Sequence, residues 1–145
     1  YKGKFTPDNP NKYMGDADNI IYRSGWERRA MKYFDINPGV LKWASEEVVI
    51  PYYDSVSKKV RRYFPDFLIK VQTAEGSTQT HLIEVKPSKD LRPPVGGRGK
   101  KKSTVLYEMK TYRMNQDKFA AARKWCDDRN IIWDVWTEKQ LKQKG

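Results

Sequence analysis

Asp66, Glu84 and Lys86 are the side chains whose types and spacing describe chemistry in this sequence. Asp66 stands in "RRYFPDFLIK" (Arg61–Lys70), and Glu84 and Lys86 stand in "THLIEVKP" (Thr80–Pro87); both segments have strand character. Between them "QTAEGSTQ", with Gly76, reads as a hairpin turn. A hairpin centred on Glu75 sets Asp66 opposite Glu84, and opposed residues of an antiparallel pair share a face. Glu84 and Lys86 share that face with Leu82, while His81, Ile83 and Val85 point the other way. A register shift of one residue would undo the arrangement.

Two carboxylates placed opposite each other repel, which serves stability poorly. A divalent cation removes the conflict: Asp66, Glu84, a backbone carbonyl and water oxygens make a hard-oxygen site suited to Mg²⁺, with Mn²⁺ as a substitute. The Val85 carbonyl is the candidate main-chain ligand. Lys86 beside the cation would orient or deprotonate a water and counter phosphate charge. Glu27 is the remote fourth group, binding the same ion or a second one, or orienting its water. This set describes metal-assisted phosphodiester hydrolysis. Each residue also has an ordinary reading. Asp66 alone is a strand-edge acid, Glu84 and Lys86 alone are a surface charge pair, and Glu27 pairs with Arg23 one turn earlier. The four together, in order and on suitable elements, favour chemistry.

The elements that must position these groups follow from the pattern. "NIIYRSGWERRAMKYFD" (Asn19–Asp35) is helical and stopped by Asn37–Gly39. Tyr22, Trp26, Ala30, Tyr33 and Phe34 form its apolar side, with Arg28, Arg29, Lys32 and Asp35 opposite. Glu27 falls in the apolar sector, beside Phe34. Strands are expected at Val48–Tyr53, Val60–Val71 and Thr80–Pro87, then a helix over 104–129 packed through Leu106, Met109, Phe119, Ala122, Trp125 and Cys126. A last strand spans 130–137. Glu46 and Glu47 read as structural or surface acids, and His81 as a packing or surface histidine.

The chain is long enough for one compact domain. Residues 1–19 read as an N-terminal arm, 20–137 as a single domain with a flexible basic loop at 87–103, and 138–145 as a basic tail. Lys and Arg outnumber Asp and Glu by 29 to 18, a net charge of +11. Such a field attracts polyanions, with nucleic acid ahead of an anionic membrane because no basic amphipathic helix has a bulky apolar face. No apolar run has transmembrane length, and the first residues carry no signal-like apolar core. The single cysteine excludes an intramolecular disulfide and a Cys-rich zinc site.

"PD" at Pro65–Asp66 and "EVK" at Glu84–Lys86 resemble the PD-(D/E)xK nuclease motif, and the element order is similar to that superfamily's αβββαβ core. "YRSGWERRAMKYFD", "VLKWASEEVVIPY" and "RRYFPDFLI" resemble the head-completion nucleases of T-even-like tailed phages. They are also similar to the endonuclease subunit of Tn7-type transposases. The resemblance implies an α/β (α+β) restriction-endonuclease-like fold, a mixed central sheet flanked by helices. It implies Glu27, Asp66, Glu84 and Lys86 as catalytic groups, with Gln116 and Lys118 near an auxiliary position that nothing in the sequence fixes.

The expected activity is a Mg²⁺-dependent DNA endonuclease acting in phage head completion, in the host cytoplasm or associated with the virion. Head, portal or packaging proteins are the expected partners, and a homodimer would ease cutting of both strands. Lys89, Arg92, Arg98, Lys100, Lys101 and Lys102 are expected to contact DNA phosphates without reading sequence. The alternatives are a non-catalytic DNA-binding virion protein on the same fold and a transposon-end endonuclease subunit.

Overall fold

The computed structural model describes residues 2–97 and 99–144; Arg98, one of the expected phosphate contacts, lies outside them. Strands β1 (Gly3–Phe5) and β2 (Ile20–Tyr22) pair antiparallel ahead of helix α1 (Gly25–Ile36). Strands β3 (Val40–Ser45), β4 (Ile50–Asp54), β5 (Lys59–Tyr63), β6 (Phe67–Gln72) and β7 (Thr78–Val85) follow, then helix α2 (Lys102–Asp128), strand β8 (Ile132–Trp136) and helix α3 (Glu138–Lys144). The central sheet is four-stranded in the order β3-β6-β7-β8, antiparallel except for the β7–β8 pair. A parallel pair needs a crossover, and α2 supplies it. The expected mixed α+β architecture is therefore present.

Two of the expected strands are drawn differently. The sheet's first strand is β3, not Val48–Tyr53, and it pairs with β6 from Val40↔Val71 to Ser45↔Phe67. The segment expected at Val60–Val71 is two strands broken at Phe64–Asp66. Pro65 has no N–H for a ladder and is fully buried, so the chain bends there. The first half, β5, pairs with β4 in a separate hairpin. The expected helix start also moves, because Ile20–Tyr22 is a strand and α1 begins after Ser24. Ser24 Oγ accepts the Glu27 N–H at 3.1 Å, a standard N-cap.

Each face of the sheet has its own core. On one, Met31 and Phe34 of α1 pack with Trp43, Phe67, Ile69 and Ile83, and Leu141 of α3 closes the cluster. On the other, Ala122 and Cys126 of α2 pack with Leu82 and with Ile50, Tyr52 and Tyr63 of the β4–β5 hairpin. The lead-in read as an arm is pinned to the first core: Tyr13 is buried against Trp43. Asp35, expected on the charged side of α1, is buried and accepts the N–H groups of Asp8 and Asn9 at 2.8 and 3.1 Å. The segment read as a tail is helix α3, held by Leu141. Leu106 and Met109, expected to pack, are exposed, since the first buried residue of α2 is Asn115.

Candidate active site

The β6–β7 hairpin turns where the sequence places it. Thr73 and Ser77 close the turn, Gly76 takes the left-handed φ of 84° that favours glycine, and the register runs from Gln72↔Thr78 to Phe67↔Ile83. One further step sets Asp66 opposite Glu84. Asp66 lies just past the strand end, and its backbone carbonyl accepts the Glu46 N–H at 3.0 Å. Its Oδ2 accepts the Val85 N–H at 2.7 Å, so the carboxylate reaches across to β7.

Glu84 is 6% exposed and Asp66 is partly buried. Burial, and after it the facing Glu84 charge, pushes the Asp66 carboxyl well above the usual range. Burial pushes Glu84 up as well, against the Tyr63 hydrogen bond and the Lys86 and Lys118 charges. Tyr63 donates its hydroxyl proton to Glu84 Oε1 at 2.5 Å, and Lys86 Nζ lies 3.7 Å from Oε2. Two desolvated, mutually repelling carboxylates are oxygen donors suited to a hard dication, so the donor chemistry fits Mg²⁺ or Mn²⁺.

Asp66 does not face the helix that carries Glu27. Phe67 meets Phe34 of α1, whereas Leu68 and Leu82 lie with the α2 cluster, so the even-numbered face of the hairpin, with Asp66 and Glu84, belongs to the α2 side. Glu27 approaches from the opposite layer, at the first turn of α1. Its Oε1 accepts the Arg23 N–H at 3.1 Å, and its own N–H goes to Ser24. This is close to a capping box, which by itself accounts for an acid in an apolar sector. The Arg23 guanidinium pairs instead with Glu46, at 3.3 Å. Burial raises the Glu27 carboxyl, with Glu46 adding to the rise and Arg23 and Lys86 opposing it. Among the described residues, no three His, Cys, Asp or Glu side chains are close enough together to hold a metal ion. Glu27 still lies within electrostatic reach of the pair: its charge adds to the rise of the Asp66 carboxyl, and Lys86 acts on it in turn.

Two further side chains join the site: Tyr63, which the sequence did not point to, and Lys118, which the resemblance set near an auxiliary position without fixing it. Tyr63, the last residue of β5, is carried over the pair by the hairpin that Pro65 separates from the sheet. No local periodicity marks it. Lys118 of α2 lies 5.6 Å from the Tyr63 ring centroid and 6.0 Å from that of Tyr52. Burial and then Lys86 hold its ammonium below the ordinary lysine range. A signal for Lys118 existed: it sits on the same stripe as the buried Asn115 and Ala122, a charge misplaced as Glu27 is.

Lys89, Arg92 and Lys100 line a cleft that also includes Lys86 and Lys118, while Lys101 stands at the N-cap position of α2 without a side-chain capping bond and Lys102 opens the helix. His81 bonds Asp134 and Gln79 and takes no part in the site. Cys126 is buried, and its thiol is pushed up to about 11, an inert packing group. No helix among the described residues is long and apolar enough to cross a membrane.

Residues 37–138 match the family described as TnsA-like endonuclease N terminal, and the chain belongs to that family of endonucleases. The match covers β3 to β8, the whole central sheet with the acidic pair and Lys86. The full chain is also similar to the head completion nuclease of Enterobacteria phage T4. The two are 38% identical across all of this chain and 96% of the phage protein.

Proposed function

We propose that the chain is a Mg²⁺-dependent DNA endonuclease that trims or cuts DNA during completion of a phage head. The reading rests above all on the opposition of Asp66 and Glu84 with Lys86 beside them. Full-length similarity to a head completion nuclease favours the phage role over a transposon-end role.

Asp66 and Glu84 hold the metal, with the Val85 carbonyl as a further ligand. The Val85 N–H points at Asp66, and an extended residue sends its N–H and C=O to the same strand edge, so that carbonyl opens toward the pair. The ion, when bound, would stabilise charge developing on the phosphate and lower the pKa of a water. Lys86, an ammonium 3.7 Å from Glu84 Oε2, orients the attacking water and counters charge on the phosphate. Tyr63 fixes Glu84 in one orientation, and Lys118 balances the negative charge from the α2 side. Glu27 orients water at the rim, from the α1 layer.

Purified protein with Mg²⁺ or Mn²⁺ should nick or linearise plasmid DNA, and Asp66→Ala should reduce this by at least about 10³-fold while the fold survives. Undiminished cutting by that variant would overturn the assignment.

A further inference from the structure

Beside the acidic pair opens a cleft of about 860 Å³. One wall is a single face of α2: Tyr107, Thr111, Asn115 and Lys118 follow one another at helical spacing. The other wall is the segment after Lys86, including Lys89, Arg92, Pro93 and Lys100. Lys100 ties the walls together, its Nζ 3.0 Å from Glu108 Oε1 on α2. Five cations and two acids line the cleft, so a polyanion is the matching occupant. Tyr107 is 71% exposed, an aromatic ring held open at one end, and Tyr112 lies further along the same wall.

We propose that this cleft receives a single DNA strand, so that the substrate carries unpaired nucleotides next to the cut. A flap or a frayed end qualifies; uninterrupted duplex does not. The inference rests on reading the adjacent Asp66–Lys86 group as the hydrolytic centre and goes beyond it by naming the substrate class. From Tyr107 to Lys118 the helix rises about 16 Å, room for at most about five stacked nucleotides of one strand. A duplex would have to break the Lys100–Glu108 clasp and push the segment aside, whereas one strand passes beneath it. Cations along the path hold phosphates, and Tyr107 offers the flat face on which an unpaired base stacks. Lys86 and Lys118, in the wall next to the acidic pair, bring the strand to the reacting groups.

The test is binding measured by fluorescence anisotropy in EDTA, where cleavage plays no part. The probes are a labelled blunt duplex and the same duplex carrying a flap of about five nucleotides. The flap DNA should bind about 10-fold tighter or better. Tyr107→Ala should weaken flap binding by about 5- to 100-fold and leave duplex binding unchanged, while Tyr107→Trp keeps the preference. Tyr107 is exposed, so an unchanged melting temperature is expected in both variants. Equal affinity for the two DNAs, equal weakening of both by Tyr107→Ala, or no binding to either overturns the inference. A protein that prefers the flap yet cuts nothing with metal would retain the inference and sink the hydrolytic reading. Equal binding with metal-dependent cutting would do the reverse.

Discussion

Glu27 has a visible part in the fold, and the proposed mechanism gives it a second one in the reaction. Its carboxylate accepts the Arg23 N–H and so finishes the start of α1, a role worth about 1 kcal/mol. Glutamine has the same reach and the same acceptor. Glu27→Gln should therefore melt within about 2 °C of the parent, as expected for a neutral cap exchange, while its kcat falls by about 10²-fold or more. A cap alone would leave kcat unchanged. Tyr63 is a different case, a positioning residue that acts through Glu84. Tyr63→Phe keeps the ring packing but frees Glu84 Oε1. Weaker apparent Mg²⁺ affinity, seen as a several-fold higher metal concentration at half-maximal rate, is the expected readout. An unshifted metal titration would assign Tyr63 to packing only.

At the scale of elements, the β6–β7 hairpin holds two acids where the fold alone would prefer none. Burial, reinforced at Asp66 by the facing charge, keeps both native carboxyls protonated to higher pH than in the unfolded chain, where they titrate near ~4. Above that pH the native state binds more protons than the unfolded state, so metal-free stability falls as pH rises and the full penalty applies above the native values. Asp66→Asn retains an acceptor for the Val85 N–H but not the charge. In EDTA at neutral pH it should be more stable than the parent by on the order of 1 kcal/mol, with a flatter decline between acid and neutral pH. Added Mg²⁺ should stabilise the parent and leave the variant unmoved. A variant that is less stable at neutral pH, on a parallel curve, would contradict this.

The hairpin register was legible because Gly76 and the alternation of "THLIEV" fix it locally. The break at Pro65 was harder to read, because "VRRYFPDFLIKV" alternates well enough to pass for one strand. What separates β5 from β6 is the tertiary pairing of β5 with β4, which no local pattern carries. The true first strand, "VLKWAS", lacks strict alternation because the neighbours Trp43 and Ala44 are both buried, although β3 is an edge strand of the sheet. Asp35 was misplaced for a related reason. Its partners are backbone N–H groups of Asp8 and Asn9, far away in sequence and invisible to a helical wheel.

Across the whole molecule, the sheet brings the parts of the site together from separate layers. The hairpin supplies Asp66, Glu84 and Lys86; α2 brings Lys118; the β4–β5 ribbon brings Tyr63; and α1 brings Glu27 to the rim from the other face. The basic segment after Lys86 then folds back on α2 and makes the excess positive charge local to the site. Residue types and order were therefore enough to read the endonuclease class, while the side of the sheet on which each candidate group stands required the fold. The central claim, that Asp66 and Glu84 hold a catalytic metal, is tested most directly by anomalous diffraction from crystals soaked in Mn²⁺. A peak within about 2.5 Å of oxygens from both carboxylates is the expected result. Crystals that hold Mn²⁺ elsewhere and leave the space between Asp66 and Glu84 empty would contradict it.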